Sequence, residues 1–339
     1  MPPIRGLHHV TVVSADPRGT IEFHAGMLGL RLAKRTVNFD DPSMYHLYFG
    51  DVEGTPGSLI TFFPMPWAAR GRQGTGQVAT VGFSVLPSAI GFWIERLIRF
   101  GVPFTGPATR RLGAGAEKVL SFRDRDGLML EIVGHARAEA RRTWHETPGI
   151  DRDHAIRGLH GVTLWMEHTA PTDHVLKNVL GFREASGDET TQRYETGEGG
   201  PGTIVDVRNV GGFLKGAEGT GTVHHVAFSV TDDGTQLTLR DVVRQAGLRP
   251  TPVLDRKYFR SVYFREPGGV LCEIATVPPG FTVDESPEQL GDHLRLPAQY
   301  EPLRPEIEAA LPPLEWSAPP SADTSAFGER NDSGDDPQP

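Results

Sequence analysis

Three residues of this chain have the type and the setting for metal chemistry. Glu273 is a carboxylate flanked by Leu271, Cys272 and Ile274 in a strand-like run that follows the turn Pro267-Gly268-Gly269. Such a group is costly to bury unless it is paired or bound to a metal. The first candidates for its partner are His224 and His225, in the apolar run GTVHHVAFSV at residues 221–230. A second histidine pair, His8 and His9, stands near the N-terminus in GLHHVTVV.

The elements that must position these residues follow from the punctuation of the chain. Residues 6–13 read as a strand, Asp16-Pro17 opens a helix with the periodic face Ile21, Phe23, Met27 and Leu28, and Gly29 stops it. Strand-like runs follow at 30–37, 44–49 and 58–63, which makes one βαβββ unit. A second unit takes a strand at 77–85, a helix at 88–100 and strands near Thr105, at 118–122 and at 128–133. The third has a strand at 158–165, a helix at 171–180 ended by Gly181, and strands near Phe182, at 191–194 and at 203–207. The fourth has its strand at 221–230, a helix at 235–246 and strands near Val253, at 261–264 and at 270–275. GLHHVTV at Gly6 and GLHGVTL at Gly158 lie 152 residues apart, as do Met27-Leu28-Gly29-Leu30 and Val179-Leu180-Gly181-Phe182. VGFSV at Val81 and VAFSV at Val226 are 145 apart, and the last strands of units two and four match at an offset of 142. Such fixed offsets are the mark of duplication. The predicted fold class is therefore α+β, with four βαβββ units in two domains of cupped mixed sheets.

Aligned on the shared pattern, the first-strand position holds His9, Thr80, Gly161 and His225, and the last-strand position holds Thr61, Glu131, Asp206 and Glu273. Units one and two together offer one imidazole, units two and three none, and units three and four one. Only units one and four supply two imidazoles and a carboxylate: His9, His225 and Glu273. That set is the 2-His-1-carboxylate facial triad, which leaves positions open on a metal and points to non-haem Fe(II) and O2, although Mn(II), Zn(II), Ni(II) or Co(II) suit the same donors. The plainer reading makes His9 and His225 satisfied strand histidines and pairs Glu273 with an arginine such as Arg256. Since residues two apart share a strand face, Thr11 accompanies His9 and Ala227 accompanies His225, while His8 and His224 fall on the opposite face unless a bulge re-aims them.

Composition narrows the class. The 339 residues carry 34 basic and 43 acidic side chains, a formal charge of −9, which gives no support to nucleic-acid or anionic-membrane binding. One cysteine, Cys272, excludes an internal disulfide and fits a reducing cytoplasm. No run approaches the roughly 18 apolar residues of a spanning helix, and the N-terminus has no long apolar region. We divide the chain into a first domain at 1–140, a linker at 141–157, a second domain at 158–277, an extended Pro-rich segment at 278–316 anchored by residues such as Phe281, Leu290, Leu296 and Ile307, and an acidic tail at 317–339 with the composition of disorder.

At this point GLHHVTVV, TVHHVAFSV and DRKYFRSVYFREPGGVLCEIAT resemble the ring-cleaving dioxygenases of the vicinal-oxygen-chelate superfamily, which also holds glyoxalases and bleomycin-resistance proteins. The similarity is to the hydroquinone-cleaving branch typified by 2,6-dichlorohydroquinone dioxygenase and its bacterial quinone-resistance relatives, and it spans residues 5–315. The resemblance implies that His9, His225 and Glu273 hold Fe(II), or Mn(II) or another divalent metal. It implies supporting or substrate-facing roles for His8, Thr11, His224, Arg256 and Tyr263. The plainer readings are a surface or capping cation for Arg256 and a core aromatic for Tyr263. His24, His46, His135, His145, His154, His160, His168, His174 and His293 match no position of the motif and are read as ordinary.

The implied activity is extradiol-type opening of a dihydroxybenzene ring with O2, with His224, Arg256 and Tyr263 donating protons or holding developing negative charge. A catechol dioxygenase is one alternative, and a metal-dependent lyase or isomerase of the glyoxalase type is another, with Glu131 as a possible second carboxylate. A non-enzymatic binder would have no use for the triad. The implied partners are a small aromatic substrate and O2, with no nucleic acid, membrane or organic cofactor; homo-oligomerisation is left open.

Overall fold

In the computed structural model, which describes residues 4–112 and 115–314, the repeat appears as four βαβββ units. Unit one comprises β1 (Gly6–Ser14), α1 (Pro17–Ile21), β2 (Arg31–Val37), β3 (Tyr45–Gly50) and β4 (Leu59–Pro64). Unit two follows with β5 (Gln77–Val85), α2 (Ile90–Arg99), β6 (Phe104–Arg110), β7 (Glu117–Arg123) and β8 (Met129–Gly134). Unit three has β9 (Leu159–Met166), α3 (Ala170–His174), β10 (Arg183–Gly187), β11 (Thr191–Glu195) and β12 (Ile204–Asn209). Unit four closes the repeat with β13 (Thr222–Val230), α4 (Asp233–Gln245), β14 (Leu254–Asp255), β15 (Arg260–Arg265) and β16 (Leu271–Thr276).

Two mixed eight-stranded sheets result, in the orders β14-β15-β16-β13-β1-β4-β3-β2 and β10-β11-β12-β9-β5-β8-β7-β6. Unit one thus shares a sheet with unit four, and unit two with unit three. The division into residues 1–140 and 158–277 follows chain order, whereas each sheet takes one unit from either side of it. The first strands β1 and β5 are buried at every position, because helices cover one face and the cup of the sheet closes the other.

The helices show why these sequences form these elements. In α2, Ile90, Trp93 and Leu97 recur at helical spacing and turn inward, and Trp93 is fully buried with its indole N–H donating to the His154 carbonyl at 3.0 Å. A buried ring of that size contributes about 2–3 kcal/mol. Asp16 caps α1 by accepting from Gly19 N at 2.7 Å, with Pro17 in the first turn.

The helix expected to continue to Gly29 widens instead into a π-turn, Glu22–Met27, closed by Leu28 N donating to Phe23 O at 2.8 Å. Unit three repeats the device in Val175–Val179, with Leu180 N donating to Val175 O at 2.9 Å. Gly29 and Gly181 then take φ values of 72° and 76°, and a Cβ at Gly29 would lie 2.2 Å from Ile150 Cδ1.

The widened turn buries His24. Its Nδ1–H donates to Thr20 O at 3.0 Å and its ring centroid lies 4.3 Å from that of Phe62, with 1% of the residue exposed. Burial lowers its pKa from 6.5 to about 3. The unfolded chain therefore binds a proton near pH 6.5 that the folded chain refuses until about pH 3. The stability contributed by neutral His24 is complete above pH 6.5 and is lost as pH falls, at about 1.4 kcal/mol per pH unit. In denaturant titrations between pH 7 and pH 4, His24→Phe should lose stability less steeply than wild type by about that slope. Parallel pH dependences would contradict this account.

Beyond β16 the chain wraps back over unit one as short 3-10 turns and α5 (Arg304–Ala310), with Phe281, Leu290, Leu296, Ile307 and Leu311 buried as anchors. Lys34, fully buried on β2, pairs with Glu285 and with Asp284 at 2.8 Å, and Lys257 reaches Asp284 at 2.6 Å. Residues 315–316 of the expected C-terminal segment and the acidic tail 317–339 lie outside the described residues. Among the described residues no helix is long and apolar enough to cross a membrane.

Candidate metal centre

The two histidine pairs meet at the seam where β1 and β13 run antiparallel. The register passes from Leu7–Phe228 to His9–Ala227, which makes His8 an extra residue, and from Thr11–His225 to Val12–Val223, which makes His224 the extra residue of the other strand. The seam of the second sheet carries matching bulges at Ala79 and His160. Bulges of this kind re-aim side chains. Alternation alone puts His224 away from the cavity, whereas the bulge brings it onto the cavity wall beside His225.

His9 Nε2, His225 Nε2 and Glu273 Oε2 converge. His9 and His225 stand 3.1 Å apart, His9 lies 3.2 Å from the carboxylate and His225 lies 2.9 Å from it. Glu273 is fully buried on β16, where its Cα pairs with that of Ala227, and its Oε1 accepts from Ser261 Oγ at 2.5 Å. Its Oε2 has ion-pair distances to both imidazoles but meets neither in hydrogen-bond geometry. Three electron-pair donors facing one point make an arrangement that a cation would suit.

The tautomers agree. The Thr276 carbonyl can only accept, so His8 donates to it through Nε2–H at 3.2 Å and has a lone pair at Nδ1. That lone pair accepts from His9 Nδ1–H at 2.9 Å, which turns the His9 Nε2 lone pair to the centre. His224 and His225 repeat the contact at 2.8 Å between their Nδ1 atoms. Burial lowers the pKa of His225 to about 4 and that of His8 to about 3, so both are neutral near pH 7. The residues present fit a divalent metal, and among the described residues this is the one group of three His, Cys, Asp or Glu side chains with ligand atoms within 4.8 Å of one another.

His8 does not line the cavity, as a substrate-facing role would require; it stands behind His9, packed against the Phe259 ring at 4.9 Å, and acts through its neighbour. Thr11 Oγ1 lies 2.9 Å from His225 Nε2. Above the cluster opens a cavity of about 310 Å3, walled by His224, Tyr263, Arg256, Phe259, His46 and Tyr48 among others. Tyr263 pairs in register with Glu273, and burial followed by the Glu273 charge raises its phenol pKa, so it is a neutral donor.

Arg256 does not pair with Glu273. Its guanidinium makes a bidentate pair with Asp40 at 2.8 and 3.0 Å and sits 5.6 Å from the Tyr263 ring centroid. Burial alone would lower its pKa, but Asp40 and Tyr263 hold it above the ordinary arginine range. The adjacent Lys257 adopts a left-handed φ of 64°, with its N–H on Asp255 Oδ1 at 2.7 Å and its ammonium on Leu296 O at 3.0 Å. That turn, braced by the C-terminal segment, presents Arg256 and Phe259 to the cavity.

His46 and Tyr48 are among the cavity residues outside the motif. A signal for them existed in the duplication, since Tyr48 pairs with Thr61 as Tyr263 pairs with Glu273. The third strands of units one and four thus carry the two tyrosines at equivalent positions.

The corresponding place in the second sheet is built differently. Asp206 receives both Nε and Nη2 of the buried Arg193, at 2.8 and 2.9 Å, and Glu117 receives the same guanidinium at 2.6 Å. Glu131 lies here, 2.8 Å from Arg110, and not beside His9 and His225. Burial alone would raise the Glu117 carboxyl, but His160, Arg193 and Arg110 hold it far below the usual range. Guanidinium groups neutralise the carboxylates that match Glu273.

The fold and the cluster define a class: duplicated βαβββ units with a buried His-His-Glu set where units one and four meet. Residues 6–132 match the Glyoxalase/Bleomycin resistance protein/Dioxygenase superfamily. The chain is 44% identical over 311 residues, 91% of its length and 96% of the relative's, to a Bacillus subtilis (strain 168) protein provisionally named ring-cleaving dioxygenase MhqO. It is 36% identical over 312 residues, 90% of its length and 95% of the relative's, to the chlorohydroquinone/hydroquinone 1,2-dioxygenase of Sphingobium indicum. A crystal structure of a provisionally assigned dioxygenase from Bacillus subtilis matches with a TM-score of 0.87 at 42% identity, covering 93% of this chain and 99% of that one. The chain belongs to the glyoxalase/bleomycin resistance protein/dioxygenase superfamily.

Proposed function

We propose that this protein is a ring-cleaving dioxygenase that opens a hydroquinone-type dihydroxybenzene, with Fe(II) held by His9, His225 and Glu273 and O2 as co-substrate. The reading is carried by one observation: two imidazoles and a carboxylate converge at the floor of a cavity walled by aromatic side chains and one arginine. The names of its relatives support the aromatic substrate. The single, buried Cys272 agrees with a reducing compartment such as the cytoplasm. Bound at the triad, Fe(II) would supply electron transfer between ring and O2 and polarise the ring oxygen.

The chain's own residues bind and orient. Phe259 and Phe63 line the cavity and offer ring contacts to an aromatic substrate. Arg256 supplies a permanent positive charge at the wall, and Tyr263 a phenol that stays protonated, so both favour negative charge on a ring oxygen or its product. His224, neutral and partly buried at the cavity wall, can exchange a proton with the substrate side of the cavity.

Anaerobically Fe(II)-loaded protein should consume O2 when given a hydroquinone, lose this activity to a chelator and regain it with Fe(II) and a reductant. Arg256→Ala should retain the metal and lose about 10- to 100-fold in turnover. Full activity in metal-free protein, or no O2 uptake with any hydroquinone or catechol, would refute the assignment.

A further inference from the structure

Unit one contributes one ligand to the cluster, yet four more of its side chains form an unbroken line of polar atoms to the same point. Thr11 Oγ1, 2.9 Å from His225 Nε2, lies 2.8 Å from Thr61 Oγ1. Thr61 Oγ1 lies 2.9 Å from His46 Nε2, and His46 Nδ1 lies 2.8 Å from the Tyr48 hydroxyl. Thr11 and Thr61 are fully buried, while His46 and Tyr48 reach the cavity wall. The duplication shows what is unusual here. Thr61 stands in unit one where unit four has Glu273, and Tyr48 stands where unit four has Tyr263. The unit-four side of the centre is closed by a carboxylate, and the unit-one side by a hydroxyl that can both accept and donate.

We propose that Thr11, Thr61, His46 and Tyr48 form a proton path that removes the proton of the ring hydroxyl bound at the triad. This rests on the proposed function only in taking a phenol as the ligand. The ring O–H bond breaks with its electron pair left on the ring oxygen, and the proton passes to Thr11 Oγ1. Thr11 gives its own proton to Thr61, and Thr61 gives its own to His46 Nε2. With its Nδ1–H directed at Tyr48, His46 returns the balance by passing that proton to the Tyr48 oxygen as the Tyr48 proton leaves to the cavity.

Other bases near the centre are committed. Glu273 has Oε1 on Ser261 and Oε2 at the cluster, and the His8 Nδ1 lone pair is taken by His9. His224 is the competing base, and the test separates the two. Thr61 does not line the cavity, so Thr61→Val breaks the path without changing the surface a ligand meets, and Thr61→Ser restores it.

The probe is 4-nitrocatechol, whose visible spectrum reports its own ionisation, titrated onto Zn(II)-loaded protein in weakly buffered solution below the phenol pKa. Wild type and Thr61→Ser should ionise it within the binding step and release one proton per probe bound. Thr61→Val and His46→Gln, with metal content unchanged, should bind it first as the neutral phenol and ionise it at least about tenfold more slowly in stopped-flow. In Fe(II)-loaded protein, the Val variant should also lose about a hundredfold in turnover of a hydroquinone. The proposal is overturned if Thr61→Val ionises the probe as wild type does, or if His224→Gln alone abolishes ionisation. It also falls if the loaded wild type binds no phenol. Failure of hydroquinone turnover with normal probe ionisation would instead refute the dioxygenase reading and leave the path standing.

Discussion

Glu273→Gln should leave a folded protein that binds no metal at the triad and has lost at least about a thousandfold in ring cleavage, whereas Glu131→Gln should keep both. The first loss follows from charge. The amide retains the size and one acceptor of the carboxylate but contributes no negative charge between His9 Nε2 and His225 Nε2, so a divalent ion would be held by two neutral nitrogens alone. Loss of a metal that contributes several kcal/mol of charge stabilisation corresponds to a factor of a thousand or more in rate. Folding survives because a neutral side chain is cheaper to bury than the carboxylate it replaces, and Ser261 still finds an acceptor. Glu131 matches Glu273 in the duplication but faces Arg110, with Thr80 and Gly161 where ligands would be needed. Metal analysis of the two purified variants decides the matter: metal loss in both, or two metals per wild-type chain, would overturn the assignment to units one and four.

Arg193→Met should cost about 3–5 kcal/mol of stability while leaving the metal in place. The guanidinium is 1% exposed and satisfies two carboxylates and the Leu112 carbonyl, the last at 2.8 Å. Replacing it by a side chain of similar length leaves Asp206 buried without its cation and Glu117 with one partner fewer, and an uncompensated buried charge costs about that much. Arg110 still reaches Glu117 at 2.7 Å, so the loss is one partner of a network rather than all of it. Denaturant unfolding of metal-free protein near pH 7 provides the measurement. A loss under about 1 kcal/mol would show that the network relaxes or admits water, and a loss of metal binding would show that the two sheets are coupled. The double replacement of Arg193 and Asp206 by apolar residues should be less harmful than two independent changes, since their effects are not additive in contact.

Much of this architecture is written along the chain. Offsets of 152, 145 and 142 residues place four equivalent units, and the residue types at equivalent positions leave His9, His225 and Glu273 as the available triad. Local chemistry is legible for the same reason: a Gly after a helix, a Pro inside its first turn and β-branched runs each act over a few residues. What the chain order alone could not decide lies between strands distant in sequence. That unit one pairs with unit four is a matter of which sheet edges meet. The bulge that turns His224 into the cavity exists only in the register of β13 against β1, because an extra residue is extra only relative to a partner. Asp40 meets Arg256 across 216 residues, and His46 reaches the centre through two threonines on other strands. The sequence by itself determined the candidate ligand set, since that depends on which side chains can donate to a metal. Only the tertiary structure decided the surroundings of that set, since these depend on pairing, register and the path of the C-terminal segment that braces the turn at Lys257.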